Sequence, residues 1–169
     1  ADTIITQGAI QSNHARQTAA AAAREGLQCY LLLEDRTLTE DSDYLYNGNV
    51  MMDALLGAEL HYCPQGCDMQ QAMESLANQL REQGKKPYVI KGGGSNHVGA
   101  LGYVNAAIEL VNQANAMNLH IHQLVHATGS GGTQAGLVAG MVGLNSQIPV
   151  LGIGVRAPTS QQHANVLRE

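Results

Sequence analysis

The sequence predicts an open α/β fold with mainly parallel strands flanked by helices. Short apolar runs alternate with stretches of helical periodicity along the 169 residues, which is the pattern of this class. One run, QCYLLL at 28–33, is almost continuously apolar, as expected of a strand buried on both faces of a parallel sheet. A third observation is the glycine-rich junction VHATGSGGTQAGLVAG at 125–140, which reads as a strand, a turn and a helix start.

This junction predicts an anion site. Gly129, Gly131 and Gly132 permit positive φ and let a ligand approach the main chain closely. A helix that opens near Thr133 presents unpaired peptide N–H groups at the positive end of its dipole, which favours a phosphate or another anion. Ser130 and Thr133 add hydroxyl donors. A plain βα turn that binds nothing is the alternative at this point.

The first elements follow in order along the chain. A β-branched strand at 1–6 leads through a glycine turn into a helix over 13–25, with Ser12 or Asn13 as its N-cap and Gly26 at its end. After the strand at 28–33, the patterns predict one helix over 44–56, a short strand over 59–62, and an amphipathic helix that Asp68 caps and Gly84 ends.

The second half repeats the alternation. A strand at 88–90 precedes KGGGSNHVGALGY, which carries at 95–97 the same Ser-Asn-His triplet that stands at 12–14. The patterns then predict a long helix, a strand at 122–127, the helix from Thr133, a strand at 150–155 and a last helix that opens in QQHANVLRE. The three glycine-rich junctions at 7–14, 92–97 and 128–133 are expected to converge on one ligand site.

Composition limits the classes of partner. The formal net charge is −5 and the charges are scattered, which argues against a nucleic-acid or membrane surface. No apolar run approaches the roughly 18 residues of a membrane span, and no signal peptide opens the chain. We therefore expect a soluble, cytoplasmic protein that binds neither nucleic acid nor membrane.

No metal site is predicted. Cys29, Cys63 and Cys67 make an odd count without the paired spacing of a zinc site, so free thiols in a reducing compartment are expected. His120, His122 and His126 are expected on one face of a strand, but no carboxylate or cysteine lies near them in sequence.

Two phosphate motifs can be tested directly, and both fail. A P-loop would need lysine where Ala100 follows Gly99, and a dinucleotide fingerprint would need glycine where Gln134 stands. The last strand is predicted to end at Arg156 and not at the acidic residue that would bind a ribose. A smaller phosphate-bearing cofactor is therefore favoured over a nucleotide.

Five motifs carry a family resemblance over essentially the whole chain: TQGAIQSNHARQTAA, NGNVMMDALLGA, GGGSNHVGALGYVNAAIEL, HATGSGGTQAGL and LGIGVRAP. Together they resemble the pyridoxal-phosphate enzymes of the D-cysteine desulfhydrase and aminocyclopropane-carboxylate (ACC) deaminase family. Within it, the motifs are most similar to those of L-cysteate sulfo-lyases. The resemblance implies a fold type II enzyme with the cofactor held between a small α/β domain, 1–96 here, and a large cofactor-binding domain, of which 97–169 is a part.

The resemblance also implies roles for individual residues. Ser130, Gly131, Gly132 and Thr133 match the loop that binds the cofactor phosphate, and Asn13 matches the residue that hydrogen-bonds the hydroxyl of the pyridine ring. The residues expected to face the substrate are Gln11, Ser12, His14, Ser95 and Asn96; Ser12, whose hydroxyl lies near the substrate carboxylate, is the one given a catalytic role. Helix capping alone is the alternative explanation for Ser12 and Asn13.

The implied reaction is β-elimination from a small sulfur-containing amino acid, with L-cysteate giving pyruvate, sulfite and ammonia as the expected reaction. The leaving group is sulfite for L-cysteate and sulfide for D-cysteine, and donors in the 92–97 junction are expected to bind a sulfonate. The alternatives are D-cysteine desulfhydration, ACC deamination, a non-catalytic anion-binding module and a nucleotide-binding domain.

The lysine that forms the family's Schiff base lies in a segment that precedes residue 1 of this chain. The lysines present are Lys85 and Lys86, which follow a helix stop, and Lys91, where the family carries an apolar residue or proline. We therefore expect the chain alone to be inactive and to show no stoichiometric absorbance band with the cofactor. Apolar surface left uncovered is expected to drive homo-oligomerisation or assembly with other fragments.

Overall fold

The computed structural model describes residues 1–155 and 157–169. The prediction that the last strand ends at Arg156 falls on the residue outside these ranges. The chain forms two compact units, Ala1–Gly93 and Gly94–Glu169, where the sequence suggested 1–96 and 97–169. All strand pairs in both units are parallel, so the predicted α/β class is confirmed.

The first unit is built on a four-stranded sheet with the order β3-β2-β1-β4. Its strands are β1 (Thr3–Ala9), β2 (Gln28–Glu34), β3 (Glu59–Cys63) and β4 (Pro87–Val89). Its helices are α1 (Asn13–Glu25), α2 (Ser42–Tyr46), α3 (Gly48–Leu55) and α4 (Met69–Glu82). A 3-10 turn at Gly92–Gly94 spans the boundary between the two units in sequence.

Strand β2 is buried on both faces, as its apolar run predicts. Leu31 and Leu33 pack with α1 and α3 on one face, in a cluster that includes Ala19 and Val50. The alternate residues, of which Leu32 is one, pack with α4 on the other face. Because successive strand side chains point to opposite faces, a continuous apolar run supplies both layers of core.

The helix predicted over 44–56 is two helices, so that prediction was wrong. Asn47 adopts extended backbone and caps α3 by accepting a hydrogen bond from the N–H of Gly48. Gly48 has φ +60°, and a Cβ there would lie 2.8 Å from Oε1 of Gln11. The apolar pattern continues across this break because both helices pack apolar residues against the same core, which is why periodicity alone did not reveal it.

The second unit contains α5 (His97–Ala116), β5 (Leu124–Thr128), α6 (Gly132–Gly143), β6 (Val150–Gly154) and α7 (Thr159–Arg168). β5 and β6 form a two-stranded sheet. Its core lies between this sheet and the α5–α6 pair, around Ala107, Leu137 and Met141. On the opposite face of the sheet Val125, Leu151 and Ile153 are exposed.

Glycines at every fourth position of α6 allow α5 to approach it closely. A Cβ at Gly136 would collide with the carbonyl oxygen of Ala100, and one at Gly140 would lie 2.6 Å from Cβ of Ala107. Since residues four apart share a helix face, Gly132, Gly136 and Gly140 form one groove along α6. This groove sets the start of α5 directly against the start of α6.

Candidate functional site

The first turn of α6 presents peptide N–H groups that no described side chain caps. Gly131 is the N-cap with φ +102°, and no side chain described by the structure caps this helix. The first helical hydrogen bond runs from Ala135 N to Gly131 O, which leaves the N–H groups of residues 132–134 at the positive end of the helix dipole. An anion is the ligand that this arrangement favours.

Ser95 and Ser130 are brought together beside these donors. The Ser95 hydroxyl donates to Ser130 Oγ across 2.5 Å. Ser95 is buried, whereas Ser130 is exposed. A Cβ at position 132 would lie 3.0 Å from Ser95 Oγ, so the absence of a side chain at Gly132 is what allows Ser95 to reach the loop.

Helix α7 supports the same loop from another side. A Cβ at Gly131 would lie 3.3 Å from the carbonyl oxygen of Asn165. Gln162, which is buried, donates from Nε2 to Oγ1 of Thr128 at 2.9 Å. Thr128 ends β5, and its carbonyl accepts a hydrogen bond from Val155 N. The loop is thus anchored at the strand end and backed by a helix.

Asn96 caps a different helix. Its Oδ1 accepts a hydrogen bond from Gly99 N at 2.8 Å, which makes it the N-cap of α5. The predicted pair of substrate residues, Ser95 and Asn96, is therefore engaged within the second unit by a hydroxyl contact and a capping contact.

In the first unit, α1 begins at the predicted QSNH segment. Ser12 is the N-cap and accepts from Ala15 N at 3.1 Å. The carbonyl of Ser12 accepts from Arg16 N. Asn13 and His14 occupy the first two helical positions. Their N–H groups lie at the N-terminal end of α1, which is the positive end of the helix dipole.

Two side chains of this segment bind the loop that joins α2 and α3. Gln11 donates from Nε2 to the carbonyl of Asn47 and accepts at Oε1 from Asn49 N, both at 2.9 Å. Asn49 Nδ2 donates to Oδ1 of Asn13 at 2.9 Å. Because that contact uses the side-chain oxygen of Asn13, the N–H groups of the Asn13 side-chain amide remain as donors.

His14 is held by strand β1. Its Nε2 lies 2.8 Å from Oγ1 of Thr6, and Thr6 Oγ1 donates to the carbonyl of Ile90 at 2.9 Å. Burial lowers the pKa of His14 below its ordinary value, so the ring is neutral near pH 7. The sequence did not assign a role to Thr6 or Asn49, although Thr6 opens the TQGAIQSNHARQTAA motif and Asn49 lies in the NGNVMMDALLGA motif.

The histidine prediction needs a correction. β5 begins at Leu124, so His126 alone of the three lies on the strand, and the rings of His120 and His122 meet edge to face in the preceding loop. The loop forms where Leu119 N bonds back to Ala114 O after α5. Within residues 1–155 and 157–169, no three His, Cys, Asp or Glu side chains are grouped so as to hold a metal ion.

The family model for pyridoxal-phosphate dependent enzymes matches residues 1–167. The chain belongs to this family. It is 46% identical over 155 residues to a D-cysteine desulfhydrase of Serratia proteamaculans (strain 568), covering 92% of this chain and 47% of that protein. It is 44% identical over 167 residues to a D-cysteine desulfhydrase of Yersinia enterocolitica (serotype O:8 / biotype 1B), covering 99% and 50%.

A solved structure of an ACC deaminase homologue is also similar, with a TM-score of 0.81 and 34% identity over 99% of this chain and 50% of that one. This confirms both the predicted fold type II class and the resemblance at family level. The chain spans about half the length of the relatives it matches. None of these proteins is named an L-cysteate sulfo-lyase, so that finer prediction has no support from them.

The family's cofactor is pyridoxal phosphate, and the start of α6 fits its phosphate group. No described side chain caps the N–H donors there, and Gly131 and Gly132 themselves carry no side chain that could cover them. Ser130 supplies a hydroxyl in the same loop, as does Thr133 in the first turn.

Lys85 has a structural partner. Its Nζ donates to the hydroxyl of Tyr30 at 2.6 Å and lies 5.0 Å from the centre of that ring. None of the helices that the structure describes is both long and apolar enough to cross a bilayer.

Proposed function

We propose that this chain is part of a pyridoxal-phosphate dependent lyase that acts on a small sulfur-containing amino acid, with D-cysteine as the favoured substrate. The observation that carries the proposal is the uncapped, glycine-initiated first turn of α6, which is suited to a phosphate group. The two D-cysteine desulfhydrase relatives favour D-cysteine over L-cysteate.

The second unit holds the cofactor by its phosphate. Backbone N–H groups of residues 132–134 and the hydroxyls of Ser130 and Thr133 donate to the phosphate oxygens. Hydrogen bonds to a charged group are the strong ones, and here they act together with the helix dipole. Gly131 and Gly132 have no side chain that could cover the main chain there.

The first unit supplies the groups that bind the amino acid. The N–H groups of Asn13 and His14 at the start of α1 bind the substrate carboxylate, and the Ser12 hydroxyl lies at the same helix end. Gln11 ties this helix start to the α2–α3 loop through its side chain. Asn13, whose oxygen is engaged by Asn49, keeps its amide N–H groups as donors at the same helix end.

When bound, pyridoxal phosphate withdraws electrons from the substrate α-carbon and so permits loss of its proton. In D-cysteine the Cβ–S bond then breaks, and sulfur leaves with the bonding electrons as sulfide. Water converts the remaining three-carbon fragment to pyruvate and ammonia. The residues of this chain bind and orient two anionic groups, the phosphate of the cofactor and the carboxylate of the substrate.

ACC deamination is a second candidate, favoured by the 34% identical structure of an ACC deaminase homologue. L-Cysteate cleavage is the third, and it would release sulfite. Release of pyruvate, sulfide and sulfite from D-cysteine and L-cysteate, and of ammonia from ACC, should be measured with the whole natural protein that carries this chain. We expect D-cysteine to give the highest kcat/KM; sulfite as the faster product would overturn that choice.

A non-catalytic anion-binding module would also use the start of α6. Pyridoxine 5′-phosphate, which has no aldehyde, tests non-covalent binding to the chain by calorimetry, with pyridoxine as the probe that lacks phosphate. We expect binding of the phosphorylated probe only, and about tenfold weaker binding in Ser130→Ala. Ser146→Ala is the matched control, since its hydroxyl accepts from Ile148 N beyond the other end of α6. Equal binding of inorganic phosphate would favour the module.

A further inference from the structure

A chain of two hydrogen bonds crosses the first unit beneath the start of α1. It joins Ile90 O, Thr6 Oγ1 and His14 Nε2, with separations of 2.9 and 2.8 Å. Thr6 is fully buried on β1. Thr6 lies on β1, Ile90 directly follows β4, and His14 is in the first turn of α1. These two hydrogen bonds therefore form only in the folded unit.

The hydrogen atoms available to these two hydrogen bonds can be counted. A threonine hydroxyl has one hydrogen, and the carbonyl of Ile90 can only accept. The hydrogen of Thr6 therefore goes to Ile90, and the contact with His14 requires a hydrogen on Nε2. A neutral imidazole carries one N–H and one lone pair, so Nδ1 is left as the acceptor.

We infer that Thr6 is a positioning residue that holds His14 as the Nε2–H tautomer, so that Nδ1 accepts a hydrogen bond from the ammonium group of an amino-acid substrate. The second half of this statement rests on the proposed function. Peptide N–H groups at the start of α1 are donors for a carboxylate, whereas Nδ1 is an acceptor. The same helix end can thus recognise both charges of a zwitterion.

The surroundings of Thr6 make the assignment specific. Thr6 is closed to solvent, so its hydroxyl has no water to bond and is committed to Ile90 and His14. Loss of its hydroxyl would leave the carbonyl of Ile90 and Nε2 of His14 without that partner. Burial also lowers the pKa of His14, which keeps the ring in its neutral form near pH 7.

The tautomer is measurable without any ligand. Long-range ¹H–¹⁵N correlation spectra of the full chain at pH 7.5 distinguish the two neutral forms, and His14→Gln identifies the signals of His14. We expect Nε2 to be protonated in the wild type. An Nδ1–H pattern, or an even mixture, would overturn the inference whatever the protein catalyses.

Variants test the role of Thr6. Thr6→Val removes the hydroxyl with little change of shape, and Thr6→Ser restores it. Thr3→Val is the matched control, since Thr3 is equally buried on β1 but donates to Asp2 Oδ1. We expect the ¹⁵N pattern of His14 to change in Thr6→Val only. Should Thr6→Val fail to fold, Thr6→Ala and Thr6→Ser give the same comparison.

Two small probes test whether the tautomer of His14 contributes to binding of an ammonium group. D-Alanine carries carboxylate and ammonium groups, whereas propionate lacks the ammonium. We expect Thr6→Val to weaken D-alanine binding about threefold to tenfold and to leave propionate binding unchanged. Equal losses for both probes, or no loss despite an altered tautomer, would overturn the positioning role. If neither probe binds the wild type, the proposed amino-acid site fails while the tautomer result stands.

Discussion

Ser95 donates a hydrogen bond to Ser130 across 2.5 Å, and the two residues differ in exposure, since Ser95 is buried and Ser130 is not. A hydroxyl that accepts from a buried donor has its own hydrogen free to turn outward. The proposed phosphate site thus has a direct donor, Ser130, and a residue that orients it.

A double-mutant cycle on this pair tests that arrangement. Ser130→Ala is expected to weaken pyridoxine 5′-phosphate binding about tenfold and Ser95→Ala about threefold, because the second change removes only the orientation of the donor. The double variant should match Ser130→Ala alone in calorimetric titration. Additive losses would mean that Ser95 acts independently of Ser130.

Close packing of α5 on α6 depends on Gly136. Its replacement by alanine should lower the free energy of unfolding by about 1–3 kcal/mol, since the new Cβ would collide with the backbone of Ala100. Gly102→Ala is the control, because the added Cβ would meet no packing neighbour within 4 Å among the described residues, and it should stabilise α5 by about 0.5–1 kcal/mol. Urea denaturation followed by circular dichroism measures both; equal effects would contradict the close approach.

Asp53 should make the first unit less stable as pH rises. Its carboxylate is fully buried and has no hydrogen-bond partner among the described residues, and burial, opposed in part by Arg16, raises its pKa from 3.8 to about 6. The unfolded chain therefore releases this proton first, and stability falls between about pH 4 and pH 6, by about 3 kcal/mol in total.

The matching experiment replaces Asp53 with asparagine. Urea denaturation at pH 4.5 and pH 8 should show Asp53→Asn to be more stable than the wild type at pH 8, with most of that gain absent at pH 4.5. Asp43→Asn removes one charge at an exposed position and serves as the control. A gain that is the same at both pH values would show that ionisation of Asp53 is not its cause.

Gln162 and Thr128 form a buried pair that is expected to respond as a unit. Thr128→Val should destabilise the second unit by about 1–3 kcal/mol, because it leaves the amide of Gln162 unpaired; Oε1 of that amide already has no partner in the described part of the chain. Adding Gln162→Leu should recover most of the loss, as measured by thermal unfolding. A double variant that sums the two single losses would argue against a shared contact.

Several elements could be predicted because their cause is local. The apolar run of β2 marks a strand with two covered faces, Asp68 caps α4 by accepting from Gln71 N, and the glycines after β5 mark the start of α6. The break at Asn47 escaped prediction because α2 and α3 both pack apolar residues against the same core. The His120 and His122 prediction failed because the strand begins only at Leu124.

The sequence by itself determined the α/β class, the family motifs and the anion-favouring helix start, since strand period, glycine turns and missing caps depend on residues a few positions apart. Only the tertiary structure decided which distant groups meet: Thr6 with Ile90, 84 residues away, and Ser95 with Ser130, 35 residues away. Such contacts depend on which strands and helices become neighbours. The order β3-β2-β1-β4 places β4 beside β1, and the glycine groove of α6 admits α5; no local pattern encodes either pairing.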